Sequence, residues 1–292
     1  MWFFWAVMAI VVGGVHAFIL KVAVEKKYDS VLISSVTPLV SACFGTAVLW
    51  VMGSTFEPSL FFIEMAIISA VLFIITSVLR QEGLSKIDTT IYFPINKTVS
   101  TSVAAFIGIF LLNESLTGLQ YVGVLLGIIV PLLLMNRSEH ARQKNIILGV
   151  QLATTTAVLS TIAQMVNSFG VSKEIFDGSI LFLVLIHIFT ALFGLSYFWV
   201  RQGSKKFGEQ FRANFNTPSQ QGFVLLASLV HFFAFFSLLM AFSSGYFSVV
   251  YTITSLGIVV PIVLSILVYK EHWDRRKVLA LVLAIASVGL LK

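Results

Sequence analysis

The sequence predicts an all-α integral membrane protein of ten transmembrane helices arranged as two inverted five-helix repeats. Three observations predict it: an apolar composition, ten apolar runs of spanning length, and an internal match at a shift of 157 residues. The 292 residues are 58% hydrophobic and 11% charged, with a mean hydropathy of +0.97. Soluble domains average roughly 45–50% apolar and ~25% charged, so this chain lacks the polar surface to cover itself in water.

Crossing ~30 Å of hydrocarbon at ~1.5 Å per residue takes ~20 apolar residues. The runs lie at 2–20, 31–53, 59–80, 90–112, 118–135, 146–166, 179–200, 221–242, 246–269 and 277–291. The first begins Met1-Trp2-Phe3-Phe4-Trp5, with no basic segment before it and no small-residue cleavage pattern after it, and reads as a retained helix. The connections at 113–117 and 243–245 are so short that the runs they join must be antiparallel neighbours. The connection 201–220 is polar and basic, has Pro218 near its end, and has room for a short surface helix.

The net charge of +6 sits in short connections and forms no continuous face, so the chain is not expected to bind nucleic acid. Of the 19 Lys and Arg residues, 16 fall on one side of the ten runs, among them Lys21, Arg80, Lys86, Arg201 and Lys270. Only Lys173 and Lys292 fall on the other, and Lys97 lies inside a run. Positive residues favour the cytoplasmic side, which predicts a cell-membrane protein with both termini outside the cytoplasm. The tryptophans Trp2, Trp5, Trp50, Trp199 and Trp273 fall near run ends, where amphipathic rings meet lipid headgroups. The single cysteine, Cys43, excludes an internal disulfide and a thiolate-rich metal site.

The repeat divides the chain into a first half, 1–136, a cytoplasmic linker, 137–145, and a second half, 146–292. Glu114 falls on Glu271, Thr117 on Asp274, and Gly123 and Gly127 on Ala280 and Ala284. Thr117 and Asp274 are suited to cap the next helix, and Gln120 completes a capping box in the first half, where Lys277 stands in the second. Glu114 and Glu271 read as stabilising helix N-termini through the dipole. The paired small residues let another helix approach closely. Five runs per half, an odd number, turn the second half upside down.

Leu111-Leu112-Asn113-Glu114-Ser115-Leu116, followed by Leu119-Gln120-Tyr121-Val122-Gly123, resembles the motif between the fourth and fifth helices of the drug/metabolite transporter superfamily, in its EamA-like ten-helix members. The second copy, Tyr269-Lys270-Glu271-His272-Trp273, keeps only the glutamate. The resemblance implies a secondary transporter of a metabolite, amino acid or drug. EamA-like proteins usually keep both termini in the cytoplasm, which the charge bias here opposes.

An ionisable side chain at the centre of a span costs at least ~2.5–3.5 kcal/mol, so each one needs a reason. Lys97 stands deep in the fourth run on a face shared with Ser100, Thr101, Ala104 and Gly108. It is a candidate counter-charge for a carboxylate or phosphate on the substrate, equally a structural or snorkelling lysine. Thr254 is its counterpart in the second half. Asn96, Tyr92, Gln164 and Tyr251 can line a central cavity or join helices. His16 and His231 are substrate or proton-coupling candidates, because histidine ordinarily titrates near pH ~6.5. His187 reads as structural. Glu64, close to the external edge of the third run, is a further proton candidate. Pro94 and Pro261 remove backbone hydrogen bonds and can bend their helices.

These readings point to a carrier working by alternating access, with a small-molecule substrate and the lipid bilayer as partners, no cofactor or metal, and a homodimer left open. A lipid flippase or a channel is the alternative. An integral membrane enzyme is disfavoured, since no zinc, metal-carboxylate or nucleophile-elbow motif is present.

Overall fold

The computed structural model describes residues 1–25, 28, 30–54, 57–135, 145–171, 176–270 and 274–292. Lys173, Glu271, His272, Trp273 and nearly all of the 137–145 linker lie outside the described residues. No strand occurs among the described residues. The helices are α1 (Trp2–Glu25), α2 (Ser30–Met52), α3 (Leu60–Leu84), α4 (Thr89–Phe106), α5 (Gly118–Leu133), α6 (Ile146–Gly170), α7 (Phe176–Gln202), α8 (Ser204–Phe215), α9 (Pro218–Phe242), α10 (Phe247–Ser255), α11 (Val259–Tyr269) and α12 (Arg275–Leu290).

Among the described residues, eight helices are long and apolar enough to cross a membrane, counting 247–268 as one. The fifth and tenth runs form α5 and α12, which are 16 residues each, or about 24 Å at the helical rise. The surface helix expected after the seventh run is α8. Its Phe207 packs on Phe198 of α7 and stacks towards Phe211.

Local chemistry sets the helix ends. Thr117 and Gln120 form the expected capping box on α5, and Thr217 and Gln220 form a second one on α9, with Pro218 in the first turn. Asp274 departs from expectation: it precedes α12, but its side chain makes no capping hydrogen bond. The ninth run is broken where Pro261 dictates. A proline at that position offers no N–H to the carbonyl of Gly257, and the chain tightens into a 3₁₀ turn at Leu256–Ile258 between α10 and α11. The fourth run ends in a π-helical turn at Ile107–Leu111.

Helices from the two halves interleave. The main pairings are α1 with α9, α2 with α7, α3 with α6 and α5 with α12, and α4 is held between α6, α5 and α10. The small residues permit the closest approaches. A Cβ on Gly123 would strike Leu291 and the Ser287 carbonyl, and the Ser287 hydroxyl donates to Gly123 O at 2.7 Å. Gly127 faces Thr252 of α10 with no room for a side chain.

Three of the cations placed in connections by the sequence lie in the C-terminal parts of spanning-length helices. Lys21 lies in α1, which runs on to Glu25, and its ammonium donates to Ser265 Oγ at 2.9 Å. Arg80 lies in α3 and Arg201 in the last turn of α7. The apolar pattern ends earlier than the helix, because a backbone that has begun hydrogen bonding in low dielectric continues until a turn residue stops it.

Candidate functional site

The centre of the fold is α4, and its polar residues divide into those that join helices and those that remain accessible. Asn96 donates from Nδ2 to Ala153 O of α6 at 3.1 Å. The Thr161 hydroxyl of α6 lies 3.2 Å from Ser100 O and 3.3 Å from the Tyr251 hydroxyl of α10, so the three helices meet at one point. The Thr101 hydroxyl bridges Lys97 O at 2.8 Å and Ser255 Oγ at 2.9 Å. Ser100, Thr101, Ala104 and Gly108 are all buried, so this stripe is a packing surface.

Lys97 and Asn96 keep partial exposure. No carboxylate pairs with Lys97 among the described residues; the ion pair there is Lys86 with Glu82, at 2.8 Å. Its neighbour is another cation. Gly83 of α3 lies against the Tyr92 ring of α4, so the two helices run antiparallel across the turn at 85–88. Side chains lean towards the N-terminus of their own helix. Arg80 therefore leans into the bundle and Lys97 leans back towards the turn, and they converge. Arg80 comes within electrostatic range of Lys97, Tyr92 and Tyr251. The Tyr92 hydroxyl is fully buried near Thr156 without a partner in hydrogen-bonding geometry. Arg80 thus has a second cation and two phenols within electrostatic range, with no acid paired to either cation among the described residues.

The sequence reading does not nominate Arg80, because the apolar run ends there while α3 continues to Leu84. The signal was Gly83: a glycine three residues on lets the facing helix press close to that face of α3.

The other candidates fall elsewhere. The Gln164 carbonyl oxygen accepts from Asn167 Nδ2 at 3.0 Å, and Asn167 Oδ1 accepts from Ser69 at 2.5 Å, which makes Gln164 part of the α3–α6 seam. Thr254 donates to Tyr251 O of its own helix at 3.1 Å, just before the break in the ninth run. Glu64 is exposed on α3, far along the helix from Arg80. His16 and His231 meet, with ring centroids 4.7 Å apart, and His187, read as structural, stacks on His231 at 4.8 Å.

Glu114 does stabilise a helix N-terminus, as its sequence reading expects, and the helix is α10. It caps no part of α5; its carboxylate accepts from the backbone N–H groups of Phe247 and Ser248 and from the Ser248 hydroxyl, at the start of α10 in the other half. Its counterpart Glu271 lies outside the described residues.

Fold and site define an all-helical protein of multi-pass membrane type. No protein-family model and no curated protein matches the sequence. A solved structure described only as "Crystal structure of protein" shares the fold with a TM-score of 0.69 at 12% identity, over 97% of this chain and 95% of the other. At that identity the likeness speaks to the fold, and the EamA resemblance rests on its motif residues alone.

Proposed function

We propose that the protein is a secondary transporter that binds a small organic solute carrying an anionic group, between Arg80, Lys97, Tyr92 and Tyr251, and exposes it alternately to the two sides of the membrane. The observation that carries this reading is the pair of cations with no acidic partner among the described residues. An ion left unpaired in a membrane interior is costly, and a substrate carboxylate or phosphate offsets that cost when it arrives.

The packing supports a ten-span, inverted-repeat plan. With the spans numbered one to ten, the first packs on the eighth as the sixth packs on the third, and the fourth packs on the sixth as the ninth packs on the first. The second pairs with the seventh and the fifth with the tenth, each with its own counterpart. Exchanging the halves leaves this pattern unchanged, as a two-fold axis in the membrane plane requires. The broken ninth span beside Tyr251 and Thr254 is of the kind that lines transporter binding sites. The charge bias favours termini outside the cytoplasm.

The test is counterflow in proteoliposomes, after a thermal-shift screen against organic anions has found a stabilising ligand. Uptake accelerated by the same solute inside supports a carrier. Unsaturable flux identifies a pore, and lipid translocation without solute exchange a flippase.

A further inference from the structure

Three imidazoles from three helices stack inside the bundle. The His16 ring of α1 lies at 40° to His231 of α9, and the His187 ring of α7 lies at 26° on its other side, closed off by Phe235 at 5.1 Å. Phenylalanine would fill this place equally well, and this seam uses it freely. What calls for an account is the nitrogen. His16 Nε2 and both ring nitrogens of His187 are buried without a hydrogen-bond partner, and His187 is only 2% exposed. Buried polar atoms left bare in a native fold signal water or an ion.

The bare atoms continue along one line. Thr190, one turn from His187 on α7, and Thr37 on α2 also have buried hydroxyls without partners. Gly45 against Val184 and Gly194 against Ser35 fix an antiparallel register that brings Thr37 level with Thr190. One turn further, a cavity of about 20 Å³ opens beside Gly194, Ser35, Ser77 and Gln81, large enough for a water molecule. Thr190, Thr37 and this cavity thus lie between the charged end of α7 and His187 in the α2–α7 register.

No group of three His, Cys, Asp or Glu residues among those described is placed to hold a metal. The charged surroundings are sparse. On α1 the nearest groups are Lys21, taken by Ser265, and Glu25, nine residues past His16. On α2 there is only Cys43, which is exposed, and on α9 only His231 itself. On α7, Asp177, Tyr197 and Arg201 lie ten or more residues from His187, or at least ~15 Å along the helix. On α3, behind α7, are Glu64, Arg80 and Glu82; on α10 and α11, which pack against α1, are Tyr251 and Tyr269, with Lys270 just beyond.

We infer that the His16–His231–His187 stack is a proton-binding site, filled through water along Thr190, Thr37 and the Ser35–Gly194 cavity, and that the proton is the coupling ion of the carrier. This rests on the carrier reading. The closely packed arrangement of the three rings is the neutral form. Like charges at stacking distance repel strongly, so the three rings share one proton. A charged ring must be solvated, so protonation brings water in and parts the rings where α1 and α7 pack on α9.

The test needs no substrate. Full-length protein with His140→Gln and His272→Gln retains only these three histidines, and ¹⁵N-histidine solid-state NMR in lipid follows them from about pH 8 to about pH 5, where imidazole charge changes. One imidazolium per protein is expected. His231→Phe, which keeps the ring and removes its nitrogens, abolishes it, and Thr190→Val slows its appearance after a pH step. Rings that stay neutral throughout, or a proton uptake that neither substitution alters, overturn the proposal. Proton uptake without counterflow sinks the carrier reading instead, and counterflow with neutral rings sinks this site alone.

Discussion

Glu114, at the end of the fourth span, accepts the backbone N–H of Phe247, the first residue of α10, and so ties the two halves together through one carboxylate. The free N–H groups of a helix start carry partial positive charge, and a carboxylate satisfies them better than water-poor surroundings can.

Replacing Glu114 with Ala leaves those donors and the Ser248 hydroxyl without their acceptor. A charge-assisted hydrogen bond is worth about 1.5–3 kcal/mol, so a clear fall in Tm in detergent is expected, with a smaller one for Glu114→Gln. Equal Tm values for wild type and Glu114→Ala would remove the tie from the account.

Gly108 lies under the same contact, and a Cβ there would press on Glu114 and Ser248. Gly108→Ala should destabilise the protein by the same route. Measured together by thermal unfolding, Gly108→Ala and Glu114→Ala should cost less than the sum of the two, because both break one contact.

Lys97→Gln and Arg80→Gln each remove one cation from the proposed anion site. Loss of a hydrogen bond to a charged group predicts substrate affinity weaker by roughly tenfold to a hundredfold for each, with Tm unchanged or raised as a buried charge is relieved. Isothermal titration with the ligand found by thermal shift reads both effects. Normal binding in both variants would mean that the cations serve another purpose.

Pro261→Ala returns an N–H to face the Gly257 carbonyl and allows α10 and α11 to join. A continuous ninth helix is stiffer at the place where the proposed carrier would flex. Counterflow should slow while the yield of folded protein holds.

Much of this fold was legible because hydropathy and charge report on the same boundary. Ten apolar runs, the capping box at Thr117–Gln120 and the close approach at Gly123 follow from spacing alone. The site was legible only in part. Lys97 announces itself by its depth, but its companion Arg80 sits where an apolar run fades and a helix does not. His187 shows the other limit. Nothing in its neighbours along the chain distinguishes a packed histidine from a stacked one, since the contact that decides it comes from α9. Glu114 was legible as a carboxylate for a helix N-terminus, but not which one: the nearest start in sequence is α5, and the one it binds is α10.

The interleaved pairing of α1 with α9 and α3 with α6 governs how the chain is made. A ribosome delivers α1 to α5 well before α6 to α12, so α1, α2 and α3 must wait without their eventual neighbours. Neither half can finish as an independent folding unit. Maturation has to be a late, collective zippering, and a truncated product would be left for quality-control proteases to clear.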